Sequence, residues 1–131
     1  MTTSLVYSSH TARLACDWLT SSVAVVSVRG DIDASNARTL TEHACAHVTV
    51  CGALVLDLSE VDFFGTEGFS TLHRVSVACA RAGIGWAMVP SVAVCQVLRI
   101  CDPQGTLPAA GTVDAALATI PGAPLPQLQS M

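Results

Sequence analysis

Three groups of residues in this 131-residue chain are of types that could do chemistry: four histidines, six cysteines, and an acidic and hydroxyl-bearing stretch from Asp57 to Thr66. His43 and His47 stand four apart, a spacing that puts two imidazoles on one helix face, where they can hold a metal. The glutamate of an H-E-x-x-H pair is missing, and no third ligand follows from the sequence. His10 and His73 stand alone. All four are read as surface histidines, and no metal is expected. Cys16, Cys45, Cys51, Cys79, Cys95 and Cys101 form no C-x-x-C and no Cys/His group at zinc spacing. In a reducing compartment they read as small apolar core residues. Cys95 and Cys101 are kept as the candidate pair for a redox role.

Asp57, Glu60 and Asp62 could serve as paired acid and base. The sequence puts Asp57 and Asp62 on either side of a turn, so the expectation is solvated turn charge. The chain has neither a G-x-x-x-x-G-K-[ST] nor a G-x-G-x-x-G segment, and all six of its cations are arginine. No standard ATP site is therefore expected. Nor does any Ser, Cys or Thr come with a base and an orienting acid. The reading is a protein that is not an enzyme, without catalytic residues or cofactor.

Gly65-Thr66-Glu67-Gly68 is different in kind. Two glycines within four residues leave the backbone bare just ahead of a helical pattern. Thr66 is read at or beside the N-cap, where a hydroxyl accepts a bond from a free first-turn amide, worth roughly 1 kcal/mol. Glu67 suits the positive end of the helix dipole. An exposed hydroxyl there is also well placed to carry a phosphoryl group, because free amides and the dipole stabilise the added charge.

The elements that must position these residues follow from apolar spacing. Arg13 to Trp18 and Val23 to Gly30 read as a β-hairpin about Thr20-Ser21-Ser22. Asp33 is the expected N-cap of a helix over 34–47, with Ala37, Leu40, Ala44 and Val48 on one face. A buried strand, Ala53 to Leu58, precedes the glycine turn, and a second helix runs from Phe69 to Ala82. Ile84 to Val89 is a further strand and Ser91 to Ile100 a third helix. An extended piece near Thr106-Leu107 and a helix from Thr112 to Ala118 close the pattern.

The order predicts an α/β fold: one domain over 1–120, with its ordered core about 12–120, and a mixed sheet of four to five strands packed against about four helices. Residues 121–131, rich in Pro and Gly, are expected to be a disordered tail. Side chains at the carboxyl edge of such sheets usually meet ligands and partners. The partner surface is therefore sought at two turns, around Asp31, Asp33 and Ser35, and around Gly65, Thr66, Glu67, Gly68, Phe69 and Ser70.

Totals exclude other classes. Net charge is −4, with no basic cluster, which argues against nucleic acid or an anionic membrane as partner. No apolar run approaches the ~18 to 20 residues that cross a bilayer. Met1 to His10 shows no secretory signal, so the expected compartment is the cytoplasm.

The segment Leu54-Val-Leu-Asp-Leu-Ser-Glu-Val-Asp-Phe-Phe-Gly-Thr-Glu-Gly-Phe-Ser-Thr-Leu72 resembles the signature of STAS domains, the family of bacterial anti-sigma factor antagonists and sulfate-transporter tails. Gly30-Asp-Ile-Asp33 resembles that family's Gly-Glu-Leu-Asp element. Val89-Pro-Ser, Val97-Leu98 and Asp114-Ala-Ala-Leu117 fall in the same order, so the likeness covers roughly residues 10 to 120. It implies an anti-sigma factor antagonist, which binds an anti-sigma factor and so releases a sigma factor for transcription. The implied partner is a serine/threonine kinase of the histidine-kinase-like ATPase type. The implied phosphoacceptor is Thr66, Gly68 matches the family glycine, and Asp33 matches the aspartate before the first helix. Gly65 stands where the family has aspartate, and Glu67 where it has a second hydroxyl residue.

Two other readings stay beside this one: a non-phosphorylated scaffold or redox- and signal-sensing module, and a phosphate- or nucleotide-binding turn at 65–68. A homodimer is left open.

Overall fold

The computed structural model of the protein describes residues 3–8 and 11–121. The expected tail lies outside the described residues from position 122 on. The elements are β1 (Thr3–Ser8), β2 (Ala12–Trp18), β3 (Val23–Ile32), α1 (Ala37–Val48), β4 (Ala53–Phe64), α2 (Thr66–Ala82), β5 (Gly85–Pro90), α3 (Val92–Cys101) and α4 (Val113–Thr119). They build one five-stranded sheet in the order β1-β2-β3-β4-β5. The β1–β2 and β2–β3 pairs are antiparallel, and β3–β4 and β4–β5 are parallel. The mixed sheet and four helices are those the sequence predicts.

Alternation along the strands divides the core into two layers. Ala24, Val26 and Val28 of β3 face one side with Leu54, Leu56 and Leu58 of β4, under α1, α2 and α3. Val23, Val25 and Val55 face the other side, beneath Ala116 and Leu117 of α4. This is why Val23 to Val26 reads as an unbroken apolar run: both faces are covered.

The structure departs from the sequence reading at five places. The sheet begins with β1, which the sequence reading left out; as an edge strand it is defined by pairing with β2. The extended piece near Thr106-Leu107 is not a strand, and that region contributes a single bridge between Met88 and Ala109. Helix α1 starts at Ala37 with Asn36 as N-cap, not at Ala34 after Asp33. Helix α2 starts three residues earlier than predicted, at Thr66.

The longest strand also overturns the turn expected between Asp57 and Asp62. β4 continues to Phe64, and both aspartates lie within it. Against β3 the register slips twice, once between the Ser27 and Arg29 pairings and once between those of Gly30 and Asp31. At the first slip Asp57 Oδ1 accepts bonds from the Ser59 amide at 3.1 Å and the Ser59 hydroxyl at 2.6 Å. Such bulges kink a strand and re-aim its side chains. Val61 and Phe64 accordingly both join the core, while Phe63 is 53% exposed.

Candidate functional site

The carboxyl ends of β3 and β4 lie side by side, with Asp31 opposite Phe63 and Ile32 opposite Phe64. Each strand then turns into a helix on the same face of the sheet. The two turns bring together the residues expected to form the partner surface. Ala34 of the first and Glu67 of the second line one groove of about 490 Å³ between α1 and α2, flanked by Arg38, Ser70 and Arg74.

The first turn is tied internally. Asp33 Oδ1 accepts bonds from the Ser35 amide at 2.9 Å and the Ser35 hydroxyl at 2.5 Å. Those bonds hold the Asp33 carboxyl below its ordinary range. The Asp33 carbonyl accepts the Asn36 and Ala37 amides at 3.2 and 2.9 Å. Asn36, only 2% exposed, accepts the Asp33 amide at 3.0 Å and donates to the Asp31 carbonyl at 2.8 Å and to Thr11 Oγ1 at 3.3 Å. Asp33 is thus a turn residue rather than the helix cap. Asn36, which the sequence reading passed over, is the clasp. A buried amide side chain bonded on both ends is invisible until the neighbouring strands are placed.

The second turn has no such ties. Its N-cap is Gly65, which makes no side-chain cap bond, and Thr66 is the first helical residue rather than the cap. Thr66 is exposed, as are Glu67 and Ser70, while Phe69 is half-buried. The Gly65 amide donates to the Ile32 carbonyl at 2.9 Å, and the Gly68 amide to the Gly65 carbonyl at 2.9 Å. Gly68 is buried, and a Cβ there would collide with the Phe64 ring. The helix start can lie this close to the end of β4 only with glycine at 68. Glu67 folds back, its Oε1 2.6 Å from where a residue-65 Cβ would stand. A carboxylate in that place repels a free anion, which counts against the phosphate- or nucleotide-binding reading.

Behind the groove α1 and α2 are joined by a small polar contact. The Thr41 and Thr71 hydroxyls lie 2.8 Å apart, and both reach the Ala37 carbonyl, at 2.9 and 3.1 Å. Two protons serve three contacts, so the pair fixes the relative height of the helices while satisfying a buried Thr71.

The remaining candidates do not converge on this edge. Cys95 and Cys101 sit six residues apart within α3. The rise between them is about 9 Å, beyond the ~7 Å that a disulfide spans, so the two cannot bond each other while α3 is intact. Cys16, Cys51 and Cys79 are buried, as the core reading requires, whereas Cys45, Cys95 and Cys101 are only half-buried. Burial pushes the Cys79 thiol up to about 12, with Cys51 and Cys45 adding to the effect. His43 and His47 are half-buried rather than fully on the surface, and His47 Nδ1 lies 2.7 Å from the His43 carbonyl oxygen. Among the described residues no group of three or more His, Cys, Asp or Glu is arranged to hold a metal, and no helix is long and apolar enough to cross a membrane.

The family model described as the STAS domain matches residues 19–116. Osmosensory protein A of Mycobacterium tuberculosis is 38% identical over 97 residues, 71% of this chain. The match spans 61% of that relative's own length. Anti-sigma-F factor antagonist RsfA of Mycobacterium tuberculosis is 31% identical over 100 residues, covering 73% of this chain and 78% of that protein. The crystal structure of an anti-sigma factor antagonist from Mycobacterium paratuberculosis superposes with a TM-score of 0.75 at 28% identity. That match covers 84% of this chain and 94% of the other.

Proposed function

The chain belongs to the STAS domain family, and we propose that it is an anti-sigma factor antagonist, not an enzyme, acting in the cytoplasm. It docks the carboxyl edge of its sheet onto an anti-sigma factor and thereby frees a sigma factor. Relatives named as anti-sigma factor antagonists support the class. The observation that carries the site is Thr66, exposed at the first position of a 17-residue helix and engaged in no cap bond.

The partner in this reading is an anti-sigma factor that is also a serine/threonine kinase of the ATPase type. ATP and its metal belong to the partner; this chain supplies the acceptor hydroxyl. A phosphate on Thr66 would be a near-dianion on a surface that the partner must cover and dry, so the modified protein lets go. A loss of about 4 kcal/mol, nearly a thousandfold in affinity, suffices for release. The docking surface consists of Asp31, Asp33, Ser35, 65–67, Phe69 and Ser70, with the expected Gly68 buried beneath it against Phe64 and exposed Phe63 added as an aromatic anchor beside Gly65.

The test uses the wild type and Thr66→Glu as baits in native lysate, with mass spectrometry of the captured proteins and of residue 66. The wild type is expected to retain an anti-sigma factor. Thr66→Glu, with an unchanged circular dichroism spectrum, is expected not to. Equal capture by both removes the switch and leaves the non-phosphorylated scaffold, which Gly65 and Glu67 favour. Absence of any anti-sigma factor removes the function.

A further inference from the structure

Helices α1 and α2 start from one edge of the sheet, and the groove between them opens at that edge, where Ala34 and Glu67 line it. From Glu67 to Arg74 it follows about two turns of α2, a rise of about 10 Å. Ala34 and Ala37 leave the α1 wall without bulk. The hydroxyls behind it are already engaged, since Thr41 and Thr71 bond each other and the Ala37 carbonyl. What the groove still offers a ligand is exposed Ser70 and two exposed arginines, Arg38 on α1 and Arg74 on α2.

The fold makes little use of these two cations. Arg29 shows the contrast: its Nη2 lies 2.6 Å from Glu60 Oε1 on the neighbouring strand. Arg38 comes only to 3.6 Å from Glu42 Oε2, through Nε rather than the outer nitrogens, with the side chains 89% and 68% exposed. A pair that long and that exposed holds nothing in place. Among the described residues Arg74 has no ion pair at all. In a chain of net charge −4, two uncommitted guanidinium groups thus stand on opposite walls of one groove. The carboxylate that lines it, Glu67, is at the end nearest Thr66.

We propose that this groove receives an acidic segment of the anti-sigma factor, whose carboxylates pair with Arg38 and Arg74. The proposal rests on the antagonist reading and adds the chemistry of the partner to it. Guanidinium groups take carboxylates in bidentate pairs, and a segment laid between the helices shields those pairs from water. A polypeptide suits the groove better than a free anion does. Glu67 repels a small anion at the open end, whereas a chain following about 10 Å of helix sets its acids beyond that carboxylate. The groove is also continuous with the edge that carries Thr66, so one partner covers both.

The test uses the full chain and the purified anti-sigma factor identified by the capture experiment. Dissociation constants are measured by calorimetry for the wild type, Arg38→Glu and Arg74→Glu, with Arg81→Glu and Arg99→Glu as exposed controls outside the groove. Each groove variant is expected to weaken binding about tenfold or more, and each control less than about twofold. Where charge reversal disturbs the circular dichroism spectrum, Arg38→Gln and Arg74→Gln replace it, with an expected loss of about threefold. Groove variants that bind like the wild type overturn the proposal. So does equal weakening by the controls, which would reduce the effect to long-range steering.

A second arm finds the segment. Hydrogen exchange of the partner with and without this protein marks the stretch that becomes protected, and its Asp or Glu residues are changed singly to Arg. At least one such change is expected to restore about fivefold or more of the affinity lost in Arg38→Glu or Arg74→Glu, and no restoration overturns the proposal. A wild type that binds no anti-sigma factor removes the antagonist reading and this proposal with it. Wild-type binding that the groove variants leave untouched removes this proposal alone.

Discussion

At the end of β3 the chain enters α1 through residues 33–36, which bond one another and the strand behind them, whereas at the end of β4 it enters α2 through Gly65 alone. The two turns share one edge of the sheet and lead to adjacent helices. In the first, side-chain polar atoms are consumed: the Asp33 carboxylate accepts from Ser35, and the Asn36 amide accepts from Asp33 and donates to Asp31 and Thr11. In the second, the N-cap carries no side chain and the first hydroxyl is spent on no cap. A turn that satisfies itself is a support. A turn that leaves a hydroxyl at a helix start unspent can be modified without taking anything from the fold.

The contrast can be broken from either side. The largest effect on stability is expected from Asn36→Ala, which strands the part-buried Asp31 carbonyl and Asp33 amide. A loss of about 3 kcal/mol should appear in urea unfolding, and a loss below ~1 would mean that the first turn is not held by its clasp. Gly68→Ala follows. The new methyl meets the buried Phe64 ring, and after the gain in helix propensity the net loss should be about 2 kcal/mol, read as a lower thermal midpoint.

Ser35→Ala acts more locally, on charge. The Ser35 bonds lower the Asp33 carboxyl in the folded state, so the stability they give is present above the unfolded value and is lost as pH falls through the folded one. Removing the hydroxyl should move the Asp33 titration, followed by carboxyl NMR, up toward the ordinary 3.8. Thr66→Ala should change stability least, by less than about 0.5 kcal/mol, because the hydroxyl it removes caps nothing. A larger loss in calorimetry would show the second turn to be a support like the first.

Much of this edge was legible in the residues. The apolar run at 23–26, the glycine pair around Thr66 and the helical spacing of Phe69, Leu72, Ser76 and Cys79, with Val75 and Ala82 beside them, located the strands, the turn and the amphipathic helix, of which Leu72, Val75 and Cys79 are buried. The bulged end of β4 was not legible. Ser59, Glu60 and Asp62 look like turn residues by composition, yet pairing with β3 and the burial of Val61 and Phe64 draw them into a strand. The bulges there are also what turn Phe63 outward, so the sequence reading omitted it from the partner surface. Cys95 and Cys101 looked like neighbours by position in the chain, and the rise of α3 separates them.

The chain by itself located the central strands, the four helices and a helix start close to Thr66, because those depend on periodicity and on local backbone freedom, while β1 and the end of β4 depended on pairing. The folded molecule decided how the two turns differ. The Asn36 clasp to Thr11 and Asp31, the Gly68 backbone against the Phe64 ring, and the Glu67 carboxylate over Gly65 all depend on where β3 and β4 place their ends in space. Local spacing carries no record of such contacts, since their geometry is set by sheet register between stretches of chain that are far apart in sequence.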